Sequence, residues 1–139
     1  MKATLQDGRR YILRFDKDEE IMAGLVQFAK EANLQGAHFS GIGTATTLEL
    51  GFFNAFLKDY RHKQFIDNVE ILSLSGTIAL LNGEPVVHAH GSFGTSDFGV
   101  IGGHIFKLVT LATCEIFLIA LDQPLNRVNN PDFNLNLFA

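Results

Sequence analysis

The dipeptide Asn82-Gly83 sits between two apolar runs, VEILSLSGTIALL (69–81) and EPVVHAHGSF (84–93). Both residues accept the left-handed backbone that a two-residue hairpin turn demands at its centre. The pair therefore predicts a β-hairpin and two adjacent antiparallel strands. Side chains alternate along a strand, so His88 and His90 project from one face while Ala89 points away.

The other elements follow from periodicity and punctuation. In DKDEEIMAGLVQFAKEANL the apolar residues Ile21, Leu25, Phe28, Ala29 and Ala32 recur at helical spacing. Asp16, Asp18, Glu19 and Glu20 crowd the start of this helix, where negative charge suits the dipole, and Gly36 lies past its end. Strands are expected at about 10–15, in GAHFSGIG (36–43), in TLELGFFNAF (47–56) with Gly51 as a bulge, and in YRHKQF (60–65). HIFKLVT and CEIFLIAL complete the set as two further strands. SGIGTATT (40–47) lacks the Gly-Lys-Ser/Thr ending of a phosphate-binding loop and reads as a tight corner between strands. The turn-rich tail DQPLNRVNNPDFNLNLFA carries Phe133, Leu135, Leu137 and Phe138, which suggests that it docks back onto the body.

These elements predict an α+β fold in the wider α/β class. A curved, mainly antiparallel sheet of about seven strands carries one principal helix on one face. The chain of 139 residues shows no repeat or linker, so residues 1–139 are expected to form a single domain. Its strands are apolar on both sides, which calls for a sheet covered twice, by the helix and by curling or a neighbouring subunit. Charged residues make up only 19% of the chain, which also favours an oligomer.

The formal net charge of −4 argues against a broad basic footprint for nucleic acid. The basic clusters are small, Arg9-Arg10 and Lys58, Arg61, His62 and Lys63. The one cysteine, Cys114, has no partner for an intramolecular disulfide and reads as a small buried hydrophobe. The N-terminal residues lack a signal peptide's apolar stretch, and no apolar run reaches membrane-spanning length, so the expected location is the cytoplasm.

Three of the five histidines lie in VVHAHGSFGTSDFGVIGGHI (86–105). A loop centred on Asp97 reverses the chain, and a symmetric hairpin about that centre sets His104 opposite His90. Opposed side chains have Cβ atoms about 5 Å apart, so His88, His90 and His104 would share one face within reach of one ion. Catalytic zinc commonly takes three protein ligands and leaves a fourth position for water. A one-residue slip would turn His104 to the other face, and the pattern by itself leaves a plain polar cluster open. Glu70 is a candidate to orient a ligand histidine, or else a strand-edge residue. Asp97 reads as a turn former, His38 as a satisfied core histidine and His62 as exposed.

SGIGTATTLELGFF, VEILSLSGTIALLNGEPVVHAHGSFG and VIGGHI, in this order and spacing, resemble the plants and prokaryotes conserved (PPC) domain family from about residue 10 onward. The resemblance implies one helix on a curved sheet and assembly as a homotrimer. Some bacterial members resemble metal proteins, which implies His88, His90 and His104 as ligands for zinc or another divalent metal. In plants the domain follows AT-hook segments of nuclear proteins, which implies DNA binding or transcriptional regulation as the alternative. No Arg-Gly-Arg-Pro core of an AT-hook is present here. A small-molecule-binding or scaffold module is a third reading. No catalytic base is identifiable, so enzymatic activity stays open.

Overall fold

Asn82 and Gly83 both take positive φ, 53° and 84°, and form the expected tight turn. The computed structural model describes residues 1–139. Eight strands and one helix run in the order β1 (Lys2–Asp7), β2 (Arg10–Asp16), α1 (Ile21–Glu31), β3 (Ala37–Asn54), β4 (Asp59–Leu81), β5 (Glu84–Gly94), β6 (Val100–Ala120), β7 (Asn126–Asn130) and β8 (Leu135–Phe138). Strand β1 was not foreseen, although Asp7-Gly8 is a hairpin signal, with Gly8 at φ 60°.

The helix is sharply defined at its start. The Glu20 carboxylate accepts hydrogen bonds from the backbone N–H groups of Met22 at 3.2 Å and Ala23 at 2.6 Å. It also accepts from Leu108 N–H at 2.9 Å, which ties the helix to β6. One carboxylate thus satisfies two orphan donors of the helix and one of the sheet.

The sheet runs β1-β2-β6-β3-β4-β7-β8, and β5 bridges β4 and β6. Strands β3, β4, β5 and β6 therefore close on themselves as a ring. Closure supplies the curling expected for strands with two apolar faces. Phe39, Leu48, Phe93 and Leu108 are fully buried in a cluster of 25 core residues, joined by Leu25, Phe28 and Ala29 of α1. All pairings are antiparallel except β4 with β7, which is parallel through Leu80–Asn126 and Leu81–Arg127.

Several expected breaks are absent. Residues 40–47 form no corner: β3 runs straight through them, with register shifts at Gly41/Gly43 and Ala45/Thr47 in its pairing with β4. Bulges absorb the irregular segment because strands on both sides hold it. The expected pairs 60–65 with 69–81, and 104–110 with 114–121, likewise merge into β4 and β6. Gly51 is required by close approach, since a Cβ there would stand 2.5 Å from the Phe106 ring and 2.8 Å from Tyr60.

Candidate metal centre

Ala89 and Phe93 of β5 point into the core, so His88 and His90 lie on the outer face of the ring. In the hairpin to β6, His90 pairs with His104 and Gly91 with Gly103. Asp97 shapes the connecting loop: its carboxylate accepts from the Thr95 hydroxyl at 2.5 Å and from Gly99 N–H at 3.2 Å. Those bonds hold its carboxyl below the usual range.

One ligand nitrogen from each of His88, His90 and His104 falls within 4.8 Å of the others. His88 Nε2 and His90 Nε2 are 3.3 Å apart. Two nitrogens that each sit ~2.05 Å from a tetrahedral zinc are about 3.3 Å apart. The three imidazole rings lie against one another, with centroids 5.0–5.3 Å apart. His104 Nδ1 is buried and has no hydrogen-bond partner. This donor set fits a zinc-type ion.

Burial favours the uncharged imidazole at His88 and His104. Burial, with the neighbouring His88, His90 and His62, pushes His104 down to about 4. Burial first, then Arg127 and His90, lowers His88 as well. Both imidazoles are neutral at pH 7, and only neutral imidazole ligates.

An aromatic wall stands beside His104. Tyr60 lies 4.8 Å from it and Phe106 4.5 Å, by ring centroids. Burial raises the Tyr60 phenol above its ordinary range. On the other side, β7 delivers Arg127, whose Nη2 lies 3.1 Å from Thr77 Oγ1 and 3.2 Å from His88 Nδ1. Its Nη1 donates to Asn136 O at 2.8 Å. Tyr60, His88, His104, Arg127 and the aliphatic Val87 and Leu137 border a cavity of about 230 Å³.

The sequence model of the Plants and Prokaryotes Conserved (PCC) domain matches residues 2–122. The chain belongs to this family. A comparison with curated proteins finds no match. A family structure from Pyrococcus horikoshii is 30% identical, with a TM-score of 0.88 over 100% of this chain and 97% of that one. A metal-containing protein from Archaeoglobus fulgidus is 28% identical, with a TM-score of 0.89 over 100% of this chain and 99% of that one. A candidate DNA-binding protein from Bacteroides thetaiotaomicron is 30% identical, with a TM-score of 0.94 over 97% of this chain and 94% of that one.

Within this PCC domain the remaining sequence candidates separate. Glu70 is opposite Thr44 and Gly94, five residues along β4 from Ser75, the partner of His90. That is roughly 17 Å at the rise of a strand, so Glu70 does not orient a ligand. It lines a different groove, with Leu72 and Glu115. His38 is exposed rather than buried, because Ala37 and Phe39 take the core-facing positions. His62 is exposed as expected. Its Nδ1 lies 2.8 Å from Glu49 Oε1, and its ring stacks on Phe106. Cys114 is fully buried, and its thiol is pushed up to about 12 by burial and by Glu115. Arg127 and Tyr60 were not singled out from the sequence. A lone arginine in a turn-rich tail and a tyrosine at a strand start carry no spacing signal that points to the histidines.

Proposed function

We propose that this PCC domain holds a divalent metal of the zinc type between His88, His90 and His104, and that it works as a cytoplasmic homotrimer. The observation that carries the metal reading is the clustering of three imidazole donors within 4.8 Å of one another, with the His88–His90 nitrogen separation of a tetrahedral zinc site. The family likeness to a metal-containing protein from Archaeoglobus fulgidus supports it. Three protein ligands leave a position for water or a carbonyl, and a metal there supplies Lewis-acid polarisation or an acidified water. The chain's own residues orient and shield that position. Tyr60 and Phe106 wall one side, and Arg127 sets the charge on the other. Protein purified without chelator or a polyhistidine tag is expected to carry stoichiometric metal that His88→Ala removes. Substoichiometric metal insensitive to that substitution would rule the reading out.

The trimer is supported by an apolar stripe on the sheet's outer surface. Ile42, Leu72 and Phe117 are exposed and line one groove with Ile12. The number three rests on the family resemblance.

DNA binding is the competing reading, favoured by the naming of the Bacteroides thetaiotaomicron neighbour. The charge distribution opposes it. Arg9 pairs with Asp122 and Arg10 with Asp7, each at 2.5 Å, so these cations are already neutralised. Duplex affinity that falls steeply with salt is its signature, and no binding at low salt dismisses it.

A further inference from the structure

Arg127 is nine-tenths buried and forms no ion pair with any carboxylate of the chain. Its acceptors are neutral: Asn136 O, Thr77 Oγ1 and His88 Nδ1. Its Nε is buried with no partner. Phe138 lies over the guanidinium at 4.2 Å and covers one face. A buried guanidinium is normally matched by an anion, and its planar fork is shaped to take a carboxylate through two parallel bonds.

The cavity it borders has no acidic lining residue. Its wall is Tyr60, His88, His104, Arg127 and Asn136, with aliphatic Leu81, Val86, Val87, Leu135 and Leu137. Arg127 brings a positive charge to this wall with no carboxylate beside it, and three imidazole ligands would leave the charge of a metal held there uncancelled. In a chain of net charge −4, this is a locally positive, partly apolar cavity. A volume of about 230 Å³ is that of roughly seven or eight waters, which suits a ligand of only a few carbon atoms.

The tautomer of His88 links Arg127 to the metal. Arg only donates, so His88 Nδ1 accepts its bond and the His88 proton sits on Nε2, where it donates to His90 Nε2. A metal held by His88 Nε2 would require the ring proton on Nδ1, which could not then accept from Arg127. That would leave one N–H of the Arg127 Nη2 without its protein acceptor.

We propose that Arg127 is the recognition residue for a small aliphatic carboxylate that occupies this cavity, with its carboxylate on the guanidinium and its hydrocarbon part against Val87, Leu135 and Leu137. The proposal rests on the metal reading above for the release of Arg127 but not for the charge match. The test titrates the full-length chain, zinc-loaded and metal-free, with isovalerate and with its neutral isostere isovaleramide, by calorimetry and by melting temperature. Elemental analysis accompanies each sample. The zinc-loaded wild type is expected to bind isovalerate at least tenfold more tightly than the amide. Arg127→Gln is expected to lose at least tenfold of that affinity while keeping its zinc. Arg127→Lys, which retains the charge and checks that the fold survives a change at this position, is expected to fall between. Equal binding of acid and amide overturns the proposal, as does Arg127→Gln binding isovalerate like the wild type. Inorganic phosphate binding more tightly than isovalerate overturns the carboxylate assignment. If the wild type takes up no zinc, the metal reading fails, and the metal-free comparison of wild type with Arg127→Gln still decides the role of Arg127.

Discussion

His90 and His104 face each other directly across β5 and β6, with ring centroids 5.3 Å apart and ring planes perpendicular. This pairing brings the third imidazole to the two that share β5. His104→Ala is therefore expected to weaken metal affinity by more than the roughly 10–100-fold that loss of a ligand's supporting hydrogen bond costs. The fold should persist, because the core is built from Phe39, Phe93 and their neighbours on the opposite face. His62→Ala, which removes an exposed ring paired with Glu49, should leave metal content unchanged. Metal content and a melting curve on the two variants check both statements. Full occupancy in His104→Ala would show that the site is built from other residues.

The pH dependence follows from the depressed His104. In the unfolded chain a histidine titrates near ~6.5. In the folded chain His104 stays neutral down to about 4. Between those values the unfolded state binds the extra proton, so stability rises with pH. Metal-free protein should thus hold its full His104 contribution above the unfolded value and lose it as pH falls from ~6.5 toward 4. His104→Ala should flatten that window. Zinc should stay bound to lower pH than the ~6.5 expected from free histidine, because the proton competes less well for this ring. Melting curves against pH, with and without zinc, test the sign. Stability that increases on acidification through this range would contradict it.

His88 provides a spectroscopic test. The Arg127 contact at 3.2 Å requires an unprotonated Nδ1, so metal-free protein should show the Nε2–H tautomer at His88. Zinc should convert it to Nδ1–H. Nitrogen-15 NMR of the histidine side chains distinguishes the two forms. A His88 signal of the Nδ1–H type before zinc addition would mean that Arg127 does not bond to it in solution.

The exposed stripe of Ile42, Leu72 and Phe117 predicts the assembly's weak point. Wild-type chain should scatter light as three times its 15.3 kDa mass. Phe117→Glu should reduce that mass to one chain with the sheet intact, since buried charge at an apolar contact is costly. A wild-type monomer at micromolar concentration refutes the trimer outright.

Glu20 is the most exposed to test among the structural residues, because its carboxylate serves both α1 and β6. Glu20→Ala should cost about 1–2 kcal/mol for the lost cap, and more where Leu108 N–H is left without a partner. Denaturant midpoints measure it. A change below a few tenths would mean that water replaces the carboxylate at both places.

Local chemistry carried the hairpin, the helix and the histidine register. Asn82-Gly83 selects its turn through positive φ at two adjacent residues, and side-chain alternation then decides the face of His88, Ala89 and His90. The position of Asp97 at the centre of the 90–104 segment set His104 against His90, because a hairpin's register depends only on its own loop. The long strands β3, β4 and β6 were not legible. Their glycine-rich and polar interruptions look like turns in isolation and remain extended only because paired strands on both sides carry the bulges. Glu70 sits in an apolar strand as a ligand-orienting residue could, yet the strand's length places it far from the histidines. Arg127 reaches His88 from 39 residues away because β7 runs parallel to the end of β4. That placement depends on how the whole sheet closes, a property of contacts distant in sequence that no local pattern encodes.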